Sequence, residues 1–232
     1  MLEVRDLYVG YYRDLHILRG VELTAGPGQI TAVLGANGVG KSTLLKAIFG
    51  LLTPERGEIR FDGRMLLGVP PHRMVDMGVC YLPQQPGIFP QMSVEENLEL
   101  GAWTYRRDRR RLQQALERNY QRFPVLREKR HQPAGQLSGG QQRMVELARA
   151  LMTSPRLMLV DEPSAGLAKT VADEVYVMLW GLRDEGLTIV LVDQDIRRAL
   201  RVADYVYVLD LGRNRFAGSP EEFVDLERVF WS

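Results

Sequence analysis

At 232 residues, 45% apolar and 25% charged, the sequence has the composition of an ordinary globular protein with room for one large domain or two modest ones. A formal net charge of +1 and a pI of about 7.9 argue against a nucleic-acid partner, which would ask for a basic stripe. The single cysteine, Cys80, excludes an intrachain disulfide, and no apolar run approaches the roughly 18 residues of a membrane helix, so a cytoplasmic chain that does not span a membrane is expected.

Residues 2 to 34 read as strands and turns. Leu2-Glu3-Val4-Arg5 and Val21-Glu22-Leu23 alternate, Tyr8 to Tyr12 is rich in aromatics, and Gly26-Pro27-Gly28 is a turn, so a small sheet comes first. Gln29 to Leu34 then reads as a buried strand and Lys41 to Phe49 as a helix capped by Gly50. Between them, Gly35-Ala36-Asn37-Gly38-Val39-Gly40-Lys41-Ser42-Thr43 fits the pattern Gly-x-x-x-x-Gly-Lys-Ser/Thr in the strand-to-helix setting that the pattern requires. A triphosphate is held by converging backbone N–H groups and a helix N-terminus, and glycines at Gly35, Gly38 and Gly40 let the backbone close in where a Cβ would stand. Lys41 reaches the β/γ-phosphates, and Ser42 offers a hydroxyl to Mg²⁺, a cation that prefers hard oxygen ligands.

Gly57 to Gly63 and Val79 to Leu82 are further strands, the second stopped by Pro83 and placing Cys80 in the core. From Gln84 the pattern turns helical. Ser93-Val94-Glu95-Glu96 is a capping box, and Arg109 to Phe123 is a charged amphipathic helix ended by Phe123-Pro124. The run Arg106 to Arg111 reads as a solvated loop and helix face in preference to a lipid or nucleic-acid contact. Leu137-Ser138-Gly139-Gly140-Gln141 opens another helix, with Ser138 as N-cap and an apolar face of Met144, Leu147, Ala148 and Leu151; its N-terminus can take a phosphate on backbone N–H groups.

Arg156 to Glu162 is an apolar strand that delivers Asp161 and Glu162 to its C-terminal end, where open α/β sheets bind ligands. Asp161 is placed to hold Mg²⁺ through water and Glu162 to take a proton from attacking water. Leu187 to Val192 is a second buried strand, ending in Asp193-Gln194-Asp195. A helix at Ile196 to Val202, a strand at Tyr205 to Leu209 and a terminal helix at Pro220 to Phe230 follow.

In this order the motifs resemble those of the ATP-binding subunit of ABC transporters, over essentially the whole chain. Walker A is Gly35 to Thr43, the Q-loop Leu82-Pro83-Gln84, the signature Leu137 to Gln141, Walker B Leu157 to Glu162 and the D-loop Ser164 to Ala168. The resemblance implies an α/β fold: a RecA-like P-loop NTPase core with an N-terminal antiparallel β-subdomain and an inserted α-helical subdomain. It implies one domain over residues 1–232, with 1–84 and 156–232 as the core and 85–155 as the helical subdomain. ATP and Mg²⁺ are the implied cofactors. The nucleotide would be held by Gly35, Ala36, Asn37, Gly38, Val39, Gly40, Lys41, Ser42 and Thr43, with Ser42, Gln84 and Asp161 toward the metal and Glu162 as the catalytic base. In a head-to-tail dimer, Ser138, Gly139, Gly140 and Gln141 of the other subunit would complete the site, so ATP joins subunits that hydrolysis releases. Tyr12, with Tyr11 as the adjacent candidate, is implied to stack on adenine; Tyr12 also reads as a strand aromatic packed on the sheet.

The implied partners are a second ATP-binding subunit, transmembrane permease subunits and an extracytoplasmic substrate-binding protein, with no nucleic acid, which places the chain at the cytoplasmic, inner face of the plasma membrane. Within the family the chain looks like the branch for uptake of branched-chain and other hydrophobic amino acids, on stretches such as Ile88-Phe89-Pro90, Ser93 to Leu98, Asp161 to Ala168 and Leu191 to Asp195. Branches for urea or amide uptake and for lipopolysaccharide export share much of this pattern, whereas soluble relatives tend to carry two nucleotide domains or a coiled-coil insertion. Two positions depart from the family: Ala168 stands where a D-loop Asp is usual, and Gln194 where the switch His is usual. Gln194 is either a neutral γ-phosphate donor with a part in catalysis or an exposed turn residue.

Overall fold

The structure, a computed structural model, describes residues 1–12, 15–85 and 87–224, and of Tyr12 the backbone alone. In chain order, β1 (Leu2–Tyr12) and β2 (Leu15–Ala25) are followed by β3 (Ile30–Leu34), which leads through the glycine-rich loop into α1 (Lys41–Ile48). Next come β4 (Arg56–Phe61), β5 (Arg64–Met65), the single turn α2 (Pro71–Met74) and β6 (Val79–Leu82). Then follow α3 (Val94–Gly101), α4 (Arg109–Arg122), α5 (Pro124–Glu128) and α6 (Gly139–Leu151). The last are β7 (Leu157–Asp161), α7 (Lys169–Asp184), β8 (Thr188–Val192), α8 (Ile196–Val202), β9 (Tyr205–Asp210) and β10 (Arg213–Gly218). Residues 220–224 are helical, and the remainder of the helix expected up to Phe230 lies outside the described residues.

The strands make two sheets. One is antiparallel in the order β2-β1-β4-β5; the other has the order β10-β9-β3-β8-β7-β6, with β9, β3, β8 and β7 parallel and β10 antiparallel on β9. Sequence dictates the difference. β3, β7 and β8 are near-continuous apolar runs and are buried at every position, as strands covered on both faces must be. β2 alternates buried and exposed positions along much of its length, as a strand with one wet face does. Leu44, Leu45 and Ile48 of α1 share one core with Leu2, Leu23 and Ile59 of the antiparallel sheet and Val33, Leu159 and Val190 of the parallel one. Each such side chain contributes about 1.5–3 kcal/mol on burial, which anchors the helix that leaves the glycine-rich loop. Cys80 lies in this part of the chain as a buried residue, its thiol pushed up to about 12 by burial.

The described residues group into two compact units: those within 1–81, 156–162 and 176–224 in the first, and those within 82–155 and 163–175 in the second. In the second unit, both helix starts expected from sequence carry full capping boxes, Ser93 with Glu96 and Ser138 with Gln141. The charged helix ends at Phe123-Pro124 as expected: Phe123 leaves helical geometry, and Pro124 starts the short α5 from a position where its missing N–H costs nothing. One expectation, the wholly apolar face of α6, is corrected. The buried face of α6 includes Arg143 and Glu146, while Met144 is only half-buried. The two charges can be buried because Arg143 Nη1 donates to Glu146 Oε2 at 2.7 Å and to the Pro83 carbonyl at 2.9 Å, and Glu146 also accepts from the Gly87 N–H.

Candidate functional site

β3, β8 and β7 lie side by side in register, Val33 beside Val192 and Val192 beside Asp161, so the polar residues just past them emerge at one carboxyl edge of the sheet. The loop after β3 is shaped by its glycines. Gly40 is left-handed at φ 110°, a conformation that calls for glycine, and a Cβ there would stand 2.5 Å from Leu18 Cδ2, so that side chain would have to shift. Gly38, at φ 83°, differs: a Cβ would meet no protein atom within 4 Å, so glycine answers to the backbone conformation and leaves that space to a ligand. α1 starts from Gly40 without a side-chain cap, which keeps its first N–H groups available for an anion. Lys41, only 4% exposed, bridges the loop by donating to the carbonyls of Gly35 at 2.8 Å and Ala36 at 3.0 Å. Burial pushes its pKa down, against the attraction of Glu162, Asp193 and Asp161.

Ser42 Oγ donates to Asp161 Oδ1 at 2.8 Å, and Tyr81 Oη donates to Asp161 Oδ2 at 2.9 Å. Burial, with Asp161 beside it, raises the Tyr81 phenol well above its ordinary pKa, so it stays a donor. The Ser42–Asp161 pair suits Mg²⁺. A hydroxyl and a carboxylate are hard oxygen donors, and Mg²⁺ is a cation that takes one or two protein oxygens and fills the rest with water and phosphate. Glu162 follows at φ 40°, a left-handed conformation that costs a non-glycine residue on the order of 1–3 kcal/mol, and its N–H donates to the Val192 carbonyl at 2.9 Å. Its carboxylate sits 3.9 Å from Lys41 Nζ, and burial raises its pKa, with Lys41 opposing and Asp193 and Asp161 adding.

Beyond β8, Asp193 is buried and Gln194 exposed. Asp193 Oδ1 accepts from the N–H groups of Gln194 at 2.7 Å and Asp195 at 2.8 Å, and its Oδ2 accepts from Tyr176 Oη. Lys41, Ser42, Asp161 and Glu162 are thus brought together, with Gln194 at the same sheet edge. Tyr11 is exposed with its hydroxyl 3.5 Å from Thr43 Oγ1, beside the loop; the side chain of Tyr12 lies outside the described residues. Gln84, Ser138, Gly139, Gly140 and Gln141 belong to the second unit, where Ser138 Oγ accepts from the Gln141 N–H at 3.3 Å and Gln141 Oε1 from the Ser138 N–H at 3.3 Å. Three site neighbours escape a sequence reading: Tyr81, Tyr176 and Asp193. The two tyrosines sit in apolar runs and read as core; Asp193 shows only as a polar strand end.

Residues 18–165 match the model of the ABC transporter family. The chain is 39% identical over 229 residues to the probable branched-chain amino acid transport ATP-binding protein LivF of Archaeoglobus fulgidus, covering 98% of this chain and 96% of that protein. It is 34% identical over 229 residues to the lipopolysaccharide export system ATP-binding protein LptB of Acidithiobacillus ferridurans, covering 97% and 92%. The crystal structure of the ADP conformation of an ATP-binding cassette of an ABC transporter matches at a TM-score of 0.87 and 27% identity, covering 100% of this chain and 95% of that one. With the phosphate loop, the Asp161-Glu162 strand end and the two-sheet cassette in place, the chain belongs to the ABC transporter family, as one of its ATP-binding, ATP-hydrolysing subunits.

Proposed function

We propose that the chain is the motor subunit of an importer for branched-chain or other hydrophobic amino acids, bound peripherally at the cytoplasmic face of separate permease subunits that an extracytoplasmic binding protein supplies. The observation that carries the transport role is the 39% identity to LivF along nearly the whole chain. Among the described residues no helix is long and apolar enough to cross a membrane, which fits a subunit whose pathway lies in other chains. The two compact units act as core and helical subdomain of one ATP-binding domain.

In this reading the triphosphate lies in the loop from Gly35 to Thr43, on the N–H groups of α1 and the charge of Lys41, with Tyr11 or Tyr12 against adenine. Ser42 and Asp161 would hold Mg²⁺, which when bound would neutralise phosphate charge in the transition state. Glu162 orients the attacking water and takes its proton as the water oxygen bonds to the γ-phosphorus and the bridge to ADP breaks. Gln194 donates its amide to the γ-phosphate and accepts from the water, a neutral substitute for the usual imidazole. Ser138, Gly139, Gly140 and Gln141 of a second ATP-binding subunit close on the nucleotide, so binding joins the two subunits and hydrolysis parts them.

A tagged chain captured from membranes, with its co-purifying permease subunits reconstituted into vesicles, tests this. ATP-driven uptake of leucine, isoleucine or valine is expected. Release of lipopolysaccharide from the same vesicles, with no amino acid uptake, would overturn the importer assignment.

A further inference from the structure

We propose that Tyr176 and Asp193 form a positioning pair that presents Gln194 to the nucleotide, a role that rests on Gln194 taking part in hydrolysis. The chain leaves β8 at Val192, and the next residue turns its carboxylate inward. Asp193 is 1% exposed, and a carboxylate so placed is tolerated only when its oxygens are hydrogen-bonded. Three donors meet it: the N–H groups of Gln194 and Asp195 on Oδ1, and the phenol of Tyr176, from α7, on Oδ2. The charged groups acting around this carboxylate are Asp195 within the turn, Lys41 from the glycine-rich loop and Glu162 from the end of β7.

The turn is tied on its other side as well. Asp195 caps α8 by accepting from the Arg198 N–H at 3.1 Å, and its second oxygen accepts from Arg198 Nη1 at 2.6 Å. Between these two anchored carboxylates stands one residue, Gln194, with an exposed side chain and a backbone N–H already fixed at 2.7 Å from Asp193. Its amide is therefore launched from a set position, and the ordering entropy of the turn is met before ATP arrives. A phenol in α7 decides that position without touching the nucleotide.

A cycle of Tyr176→Phe and Gln194→Ala in the full chain tests this, read as kcat and KM for ATP. Tyr176→Phe alone should lower kcat roughly tenfold to a hundredfold, the range for a misplaced catalytic group, with KM within about twofold. Added to Gln194→Ala it should change kcat by less than about twofold, because the group it positions is gone. Hydrogen exchange should quicken in the peptide spanning residues 192–198 and stay unchanged in β3 and β7, which also reports that the variant is folded. Asp193→Asn, which keeps the shape and one acceptor, should give the same pattern. An equal fold-loss from Tyr176→Phe in both backgrounds would mean a general structural role and overturn the pair, as would a parent-like rate for Tyr176→Phe beside a slow Gln194→Ala. A parent-like rate for Gln194→Ala would remove the reading of Gln194 and the pair with it.

Discussion

Ser42 and Asp161 stand 119 positions apart, yet the hydroxyl of one donates to the carboxylate of the other at 2.8 Å. The first residues of α1 and the last of β7 are thereby held as one oxygen pair, with Tyr81 occupying the other Asp161 oxygen. Ser42→Ala removes one oxygen and the donor that aims the second. At saturating ATP the Mg²⁺ concentration for half-maximal hydrolysis should rise by about tenfold to a hundredfold, the usual loss when a metal site's supporting bond goes. An unchanged midpoint in a Mg²⁺ titration would take the metal away from this pair.

Lys41 is a buried cation bonded to two loop carbonyls, with the Glu162 carboxylate 3.9 Å from its Nζ. Lys41→Ala should abolish nucleotide binding by calorimetry, because the β/γ-phosphates lose their point charge while the loop keeps its glycines. Retained ATP affinity would mean that the loop binds phosphate by backbone alone.

Glu162 carries a pH signature. Burial lifts its pKa above the ordinary carboxylate value of about 4.3, and a general base works only when ionised. The rate should therefore fall as pH drops through the raised value, giving an acid limb above the usual carboxylate range. Glu162→Gln should keep ATP binding, slow hydrolysis by on the order of 10² to 10⁴, and lose that limb. In gel filtration with ATP it should also run as a dimer. A full-rate Gln variant would show the proton going elsewhere.

Arg143 and Glu146 make a stability prediction. Both side chains are almost wholly buried, at 3% and 1% exposed, and Arg143 keeps two buried nitrogens, Nε and Nη2, without a hydrogen-bond partner. Glu146→Ala leaves that cation without its carboxylate and should cost about 3–5 kcal/mol in urea unfolding, whereas the paired change Arg143→Met with Glu146→Leu should recover most of the loss. A single variant within about 0.5 kcal/mol of the parent would mean that water already satisfies the site.

The parts legible in the sequence are those whose chemistry is local. The glycine-rich loop declares itself because fixed spacing, a buried strand before it and a helix after it all sit within twenty-odd residues, and β3, β7 and β8 because burial on both faces leaves continuous apolar runs. The parts that were not legible depend on pairing across the fold. Nothing adjacent to Arg143 says that a helix face with apolar residues at helical spacing will carry a buried ion pair, since its cost is met by Pro83 and Glu146 together. Tyr176 reads as one more core residue at helical spacing until its hydroxyl is seen on Asp193. Glu162 could be named as a base, but its left-handed backbone could not, because a positive φ is ordinarily left to Gly, Asn or Asp and nothing in the local sequence signals it at a Glu.

Gln194 stands where an imidazole is usual in the family. Gln194 does not titrate, so in the parent no proton on this side chain should shape the rate between about pH 6 and 7. Gln194→His restores a donor of similar reach on a backbone already fixed by Asp193, so activity should be kept. The new imidazole has an ordinary pKa near 6.5, and the carboxylates of Asp193 and Glu162, with the phosphates of ATP, act to raise it. The sign follows: the charged, better donor is present below that pKa and is lost as pH rises through it, so kcat should decline from about pH 6 upward in the variant while the parent stays flat. Rate profiles of the two proteins at saturating ATP decide it. Superimposable profiles would show that the side chain at position 194 does not face the reacting phosphate.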